Sequence, residues 1–187
     1  MSVTEEQKAY HLRKMRTRMS RLDINKDEYI SREDFELMGK KLAEHSGMTE
    51  EQAQATTREF LKVADMINLK PGVKKPLEEA AKRANESYCS LMSSDEKISL
   101  VNGVHDMLFD AIDTNKDGHI SVEEFKVYLN LIAPGVKEDE IVHSFDAIDA
   151  DKNGEISREE FLAAAQDFLL GVEETELSKA FLGPLLD

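Results

Sequence analysis

Two twelve-residue segments in the C-terminal half repeat one pattern of oxygen-bearing side chains. Positions 1, 3, 5 and 9 carry aspartate, asparagine or serine, position 6 is glycine, position 8 is isoleucine and position 12 is glutamate. Calcium is a hard cation that takes six to eight oxygen ligands, and glycine permits the sharp turn that wraps the chain around it. The pattern therefore predicts two calcium sites, in which position 7 contributes its backbone carbonyl. The predicted ligands are Asp113, Asn115, Asp117, His119, Ser121 and Glu124 in one segment, and Asp149, Asp151, Asn153, Glu155, Ser157 and Glu160 in the other.

The two segments match the loop of the EF-hand position by position. They start 36 residues apart (149 minus 113), which is the spacing of two hands in a pair. A single match could be an acidic surface turn, whereas two full matches at this spacing indicate a pair. Ile120 and Ile156 occupy position 8 of their loops, and we expect them to meet in a short β contact through which each loop supports the other.

A third segment, from Asp23 to Asp34, fits the pattern with two departures. Glu28 stands at position 6, where a positive φ costs a residue with a side chain roughly 1 kcal/mol or more. Asp34 stands at position 12 and is one methylene shorter than glutamate, so it binds a metal less readily through both oxygens. The segment is predicted to bind calcium weakly or to prefer magnesium; the alternative is a loop that keeps its shape and binds nothing. The predicted ligands are Asp23, Asn25, Asp27, Tyr29 through its carbonyl, Ser31 and Asp34.

Because EF-hands occur in pairs, the first loop requires a partner, and the window from about Ile67 to Glu78 is placed to provide it. Gly72 and Glu78 fall at positions 6 and 12 of this window, and Lys74 falls at position 8. Positions 1, 3 and 5 are isoleucine, leucine and proline, which offer no side-chain oxygen. We interpret the window as a hand that keeps its helix–loop–helix shape without binding metal.

Helical periodicity dominates the rest of the chain. The predicted fold is all-α and compact, with four EF-hand motifs in two pairs around an apolar interior. The run Ser93-Ser94-Asp95 predicts a boundary between an N-terminal pair, residues 1–92, and a C-terminal pair, residues 95–187. A tail from residue 173 to 187 is more than a calcium-binding pair needs. Its leucines and Phe181 are predicted to pack against the main body as a C-terminal capping segment.

Composition and single residues exclude several functional classes. The formal net charge is −14, and so acidic a protein repels nucleic acids and anionic membranes. Cys89 is the only cysteine, which excludes an internal disulfide and fits a reducing compartment such as the cytoplasm. The first residues contain no apolar run, and no stretch approaches ~18 apolar residues, so neither a signal peptide nor a membrane span is expected. Since no nucleophile–base pair or phosphate-binding loop is visible, the chain is predicted not to be an enzyme.

The eight phenylalanines and eight methionines mostly fall at core-facing spacings and are interpreted first as EF-hand core. Two alternatives stay open from the residues alone. One is a methionine-rich groove for a partner helix, as in calcium sensors. The other is an enclosed apolar cavity that holds a small organic ligand, whose lining no short motif marks.

Framework segments as well as loops carry a family resemblance. The chain combines two intact C-terminal loops with a first loop that ends in aspartate and a silent second loop, and in this it resembles the sarcoplasmic calcium-binding proteins. Within that superfamily it is most similar to the coelenterazine-binding (luciferin-binding) proteins of soft corals, over essentially the whole chain. The framework segments that carry the similarity are residues 10–19, 30–35, 71–73, 78–81, 167–175 and 180–181.

The resemblance implies a cavity that holds coelenterazine, an oxidisable luciferin, and releases it when calcium binds to the first, third and fourth hands. A luciferase would then oxidise the ligand. Related photoproteins oxidise it themselves with polar triads that contain tryptophan, and this chain has no tryptophan. A calcium-responsive carrier is therefore the leading hypothesis. The alternatives are a cytosolic calcium buffer with a filled core and a sensor that binds a partner helix.

Overall fold

The computed structural model describes residues 3–66, 68–90 and 95–186. Within these ranges the chain forms nine α-helices and four two-residue strands. None of these helices is both long enough and apolar enough to cross a bilayer. The helices are α1 (Glu5–Leu22), α2 (Arg32–His45), α3 (Glu50–Met66), α4 (Leu77–Ser90), α5 (Asp95–Ile112), α6 (Val122–Ile132), α7 (Glu138–Ile148), α8 (Arg158–Leu170) and α9 (Glu176–Ala180). The strands are β1 (Tyr29–Ile30), β2 (Lys75–Pro76), β3 (His119–Ile120) and β4 (Ile156–Ser157).

Helices α1 to α8 form four helix–loop–helix motifs, which confirms the predicted all-α fold of four EF-hands. In the first, third and fourth motifs the helix that leaves the loop begins at position 10, directly after a serine. Ser121 and Ser157 each accept a hydrogen bond from the amide of the glutamate at position 12, whose carboxylate accepts one from the serine amide in return. This reciprocal capping box stabilises the helix start. The predicted metal ligands therefore also determine where the next helix begins.

The two loops of the C-terminal pair are joined as predicted. Strands β3 and β4 pair antiparallel, with Ile120 opposite Ile156. Both isoleucines are fully buried, so the contact is an apolar clamp between the loops as well as a backbone pairing.

In the N-terminal pair, the second loop lies one residue later than the window predicted for it. Strands β1 and β2 are antiparallel, and Ile30 at position 8 of the first loop faces Lys75, whereas Lys74 stands at position 8 of the predicted window. Helix α4 begins at Leu77, and counting back from Leu77 as position 10 gives a loop of residues 68–79. The physical reason is that this loop has no ligands to fix its numbering. Its course is determined by a turn at Gly72, where φ is 78°, and by the pairing with β1.

The two pairs share one apolar core. Helix α1 packs against α4 and α2 against α3 in the N-terminal pair, while α5 packs against α8 and α6 against α7 in the C-terminal pair. Helix α2 also contacts α6, and α8 contacts α1 and α4, so the buried cluster runs through both pairs. Residues 93 and 94 of the predicted boundary lie outside the described residues, and the division into two domains stays a prediction.

The tail packs against the body as the predicted cap, except that the side chain of Leu186, predicted to be buried, is exposed. Phe181 is buried, and its ring centroid lies 5.5 Å from that of Phe168 and 5.7 Å from that of Phe161. Such tilted aromatic contacts add to the free energy gained from burial. The tail thus closes the apolar interior at the end of α8.

Helix α1 holds the backbone of the tail with three side chains spaced one turn apart. Arg21 donates to the carbonyl of Leu182 at 3.2 Å, and Arg13 donates to the carbonyl of Leu186 at 2.8 Å. Between them, the hydroxyl of Thr17 accepts a hydrogen bond from the amide of Leu186 at 3.0 Å. Residues four apart lie on one face of a helix, so this face of α1 is a line of anchors for the cap.

Candidate calcium sites and interior cavity

In the third and fourth loops, the glutamate at position 12 connects the two ends of its own loop. Oε1 of Glu124 accepts a hydrogen bond from the amide at position 2 (2.8 Å), and Oε2 accepts one from the amide at position 9 (2.9 Å). Glu160 makes the same two contacts at 2.9 Å and 2.8 Å. Burial raises the pKa of each glutamate, but the hydrogen bonds from the loop outweigh it and leave the pKa below its ordinary value. Both side chains are therefore carboxylates at neutral pH.

The aspartate at position 1 is buried in all three complete loops. Asp23, Asp113 and Asp149 are each 3% exposed. Oδ2 of Asp113 accepts a hydrogen bond from the amide of Gly118 at 3.0 Å. Its other oxygen, Oδ1, is buried without a hydrogen-bond partner among the described residues. An unpaired buried carboxylate oxygen is costly, and a cation held by the loop would satisfy it, so the donor set fits a hard divalent ion.

The fourth loop brings three carboxylates together. One oxygen from each of Asp149, Asp151 and Glu160 lies within 4.8 Å of the others. The side-chain amide of Asn153 donates to Asp151 at 3.1 Å, and the hydroxyl of Ser157 donates to Glu160 at 2.8 Å. Like charges this close repel one another unless a cation lies between them. The cluster therefore has the chemistry of a calcium site.

The first loop reaches the same arrangement with a shorter acid. Oδ1 of Asp34 accepts hydrogen bonds from the amides at positions 2 and 3, at 3.0 Å and 3.4 Å, and Oδ2 accepts one from the amide of Ser31 at 2.9 Å. The loop thus closes around an aspartate as the others close around a glutamate. Asp34 is fully buried, and this burial raises the pKa of its carboxyl despite the hydrogen bonds. Glu28 at position 6 has a φ of 68°, in the left-handed region that the pattern predicts.

The partner loop places a positive charge on the first loop. Nζ of Lys74 forms a salt bridge with Oδ2 of Asp27, the acid at position 5. The hydrogen bond between them raises the pKa of Lys74 and lowers the pKa of Asp27. A residue of the hand without ligands therefore contacts a predicted ligand of its neighbour.

A lysine at position 4, which is not a calcium ligand in the pattern, recurs in all three complete loops. Lys26, Lys116 and Lys152 each have a positive φ, between 59° and 62°. Each donates from Nζ to a backbone carbonyl in the last turn of the helix that enters its loop. Such carbonyls have no partner within the helix, and positive charge is favourable there. The recurrence of lysine at one loop position was the signal that could have revealed these helix caps.

Two buried polar residues of α1 had no signal in the sequence. His11 and Lys14 are fully buried. Nζ of Lys14 donates to the carbonyls of Gly171 at 2.7 Å and Asp167 at 3.3 Å, at the C-terminal end of α8. Burial lowers the pKa of Lys14 to about 8. Charged side chains ordinarily indicate exposure, and only the tertiary packing shows that this one joins α1 to α8.

A cavity of about 60 Å³ lies in the shared core. It is lined by residues of α1, α2, α3, α5, α6, α8 and the tail, so both EF-hand pairs contribute to its wall. Its apolar lining includes Phe35, Phe60, Leu108, Ile132, Phe168 and Phe181.

Four polar side chains also line this cavity: Arg18, Arg21, His105 and Tyr128. Nδ1 of His105 lies 2.7 Å from the carbonyl of Val101, and since a carbonyl only accepts, Nδ1 carries the hydrogen and Nε2 is left as an acceptor. Burial lowers the pKa of His105 to about 4 and raises that of Tyr128. At neutral pH the cavity wall therefore combines a neutral imidazole, a phenol and two guanidinium groups with apolar side chains, as small-molecule sites commonly do.

Comparisons with known proteins agree with the EF-hand fold described above. A family model described as an EF-hand domain pair matches residues 104–166. The luciferin-binding protein of Renilla reniformis is 44% identical over 140 residues, which cover 75% of this chain and 75% of that protein. This chain belongs to the luciferin-binding family of EF-hand proteins.

Two further relatives agree with this membership. The calcium-loaded apo form of coelenterazine-binding protein from Renilla muelleri matches with a TM-score of 0.83 and 44% identity, over 98% of this chain and 100% of that one. The sarcoplasmic calcium-binding protein of Hediste diversicolor is 32% identical over 121 residues, which cover 65% of this chain and 68% of that protein. Each of these relatives is named as a binding protein, and the EF-hand luciferin-binding family is a calcium-binding one.

Proposed function

We propose that this luciferin-binding family member is a calcium-responsive carrier, which holds a coelenterazine-type luciferin in its interior and releases it to a luciferase. The Renilla proteins that it resembles are named for binding luciferin and coelenterazine, which supports the ligand class. We also propose that it acts in the cytoplasm and does not oxidise its ligand. The lack of tryptophan supports the second point, and the single cysteine supports the first.

The observation that carries the proposal is that the cavity and the calcium loops share the same helices. Helices α1 and α2 flank the first loop, α5 and α6 flank the third, and α8 leaves the fourth, and all five line the cavity. Phe35 lines the cavity and directly follows Asp34, the acid at position 12. Because helices move as rigid elements in EF-hand proteins, a change in the loops reshapes the cavity wall.

We propose three metal sites, formed by the ligands predicted for the first, third and fourth loops. A bound calcium ion would supply the positive charge that balances the clustered carboxylates of each loop. Glu124 and Glu160 now hold the amides of their own loops, and coordination requires their oxygens to turn towards the centre. Helices α6 and α8 begin two residues before these glutamates, so they would turn with them. The shorter, buried Asp34 makes the first site the best candidate for magnesium.

The size of the cavity favours one alternative, a calcium buffer with a filled core. Pockets for drug-sized ligands typically measure about 300–1,000 Å³, whereas this cavity measures about 60 Å³. The carrier proposal therefore requires the core to open when ligand enters, by moving the tail or the helices that carry Phe35 and Phe168. A buffer would not open and would bind no luciferin.

To test the carrier proposal, the calcium-free protein is mixed with coelenterazine, and the complex is separated from free ligand by gel filtration. A carrier retains about one ligand per chain and loses it when calcium is added. If no ligand elutes with the protein, the result would instead support a calcium buffer. Light on adding calcium without a luciferase would contradict the proposal that the protein does not oxidise its ligand.

A matched pair of variants locates the ligand. Val104→Phe adds an aromatic ring to the cavity wall, while Val127→Phe adds the same ring at an exposed site. We expect Val104→Phe to lose ligand binding and Val127→Phe to keep it, with calcium titrations of both showing that the loops still fold. Equal ligand binding by the two variants would place the ligand elsewhere.

A further inference from the structure

We propose that Lys74 acts as an internal cation, which competes with the metal ion for the first loop. The hand that lost its own ligands would thereby weaken the divalent-ion affinity of its partner. The inference rests on the proposed metal site of the first loop. It goes beyond that proposal by assigning a function to the silent second loop.

The shifted strand register puts Lys74 in place. Lys75 faces Ile30 across the strand pair, so Lys74 directly precedes β2 and lies beside position 5 of the first loop. Its ammonium forms a salt bridge with Oδ2 of Asp27. Glu33 and Asp34 add to the negative field around it. Lys74 and Asp27 both remain accessible, with side chains 49% and 30% exposed, so a metal ion from solvent can reach the pair.

The C-terminal pair shows that this charge is particular to the second loop. The residues that correspond to Lys74 there are Glu155, beside the third loop, and His119, beside the fourth. Asp117, the position-5 acid of the third loop, forms no ion pair within the part of the chain that the structure describes. Among the described residues, the first loop is therefore the one whose predicted ligand oxygen is already paired with a lysine.

The charges of Asp27, Lys74 and the metal ion determine how the lysine affects metal binding. Asp27 can pair with Lys74 or with a divalent ion, but a divalent ion close to an ammonium group is repelled by it. Binding at the first loop must therefore displace the lysine, which lowers the affinity for calcium and for magnesium. Exposed ion pairs are weakened by salt, so this competition is strongest at low ionic strength.

Terbium luminescence can report on the first loop alone. Tyr29 stands at position 7 of this loop, where the corresponding residues of the other two are His119 and Glu155. A terbium ion bound there takes up energy from the tyrosine, and a Tyr29→Phe variant removes that signal. Calcium or magnesium affinity of the first loop then follows from displacement of terbium.

The decisive comparison is Lys74→Gln against Lys70→Gln. Lys70 is an exposed lysine of the same loop, and its ammonium group has no partner among the described residues, so its replacement removes the same charge without touching Asp27. We expect Lys74→Gln to tighten calcium binding at the first loop about two- to fivefold at low salt, as for loss of an exposed ion pair. Lys70→Gln should change it little, and added potassium chloride should shrink the difference.

Equal affinities for Lys74→Gln and the wild type, or equal shifts for both variants, would overturn the competition while leaving the metal site intact. Weaker binding by Lys74→Gln would overturn it too, because the lysine would then be ordering Asp27 for the metal. If Tyr29→Phe leaves the terbium signal unchanged, the first loop binds no metal, and both this inference and the proposed first site fail.

Discussion

Glu28 stands at position 6 of the first loop, where the third and fourth loops have glycine, and Glu28→Gly is expected to stabilise the protein. Glu28 has a φ of 68°, where the equivalent Gly118 has 89°. Its side chain is exposed. Its amide donates to Asp23 at 3.2 Å, and its carbonyl accepts from the amide of Leu77 at 3.2 Å. Both hydrogen bonds involve the backbone, so glycine keeps them.

The magnitude follows from two opposing effects. A residue with a side chain in the left-handed region costs roughly 1–2 kcal/mol, which glycine avoids. Glycine also makes the unfolded chain more flexible, which removes about 0.4–1 kcal/mol of this gain. The net stabilisation is about 0.5–1 kcal/mol, or ~1–4 °C in melting temperature for a chain of this length.

Urea unfolding in the presence of a chelator measures this effect without the contribution of metal binding. The midpoint should rise with an unchanged slope, because the surface exposed on unfolding stays the same. The reciprocal variant Gly118→Glu is the matched control. A Cβ at Gly118 meets no atom within 4 Å, so the change isolates the backbone cost, and its midpoint should fall. A Glu28→Gly protein no more stable than the wild type would refute the reasoning.

Three further predictions concern the metal ligands, the helix packing and a buried imidazole. Glu124→Gln and Glu160→Gln should each weaken one calcium site strongly, because each removes a carboxylate that can bind through both oxygens; isothermal titration should show one strong site fewer. Gly39→Ala should lower stability by about 1–3 kcal/mol, since the new Cβ would lie 2.8 Å from Cα of Thr57; an unchanged urea midpoint would contradict the close packing of α2 and α3. The depressed pKa of His105, about 4, means that the unfolded chain binds the proton first, so stability should fall as pH drops from about 6.5 towards 4. A His105→Phe variant should lose part of this pH dependence in unfolding curves measured at both ends of the range.

The C-terminal pair could be predicted in detail because ligand chemistry, turn geometry and helix capping all act through the same residues. Ser121 and Glu124 illustrate this, since the serine and glutamate of the pattern also form the capping box that starts α6. The pairing of Ile120 with Ile156 followed from their common position in two intact loops. Local sequence and tertiary structure agree in this pair, so the loop pattern alone was sufficient to predict its helix starts and its strand pairing.

The second loop could not be placed to the residue because nothing local fixes it. Without ligands at positions 1, 3 and 5, the window could be numbered only from Gly72 and Glu78, and the pairing with β1 shifts it by one residue. The contact between Lys74 and Asp27 depends on this shift. The buried Lys14 illustrates a second limit of prediction from sequence. Its partners are carbonyls at the end of α8, and no pattern in α1 predicts a contact with them.

Helix α1 explains why the first loop matters to the interior even if it binds metal weakly. Its last turn enters the loop at Asp23, and Arg18 on the same helix lines the cavity. Arg13, Thr17 and Arg21 hold the tail backbone, and the tail places Phe181 in the cavity wall. If metal binding shifts α1, as the proposed function requires, the cap and the cavity wall would therefore move together. Helices α5 and α6 flank the third loop and α8 leaves the fourth, and all three line the same cavity, so both pairs contribute to its wall.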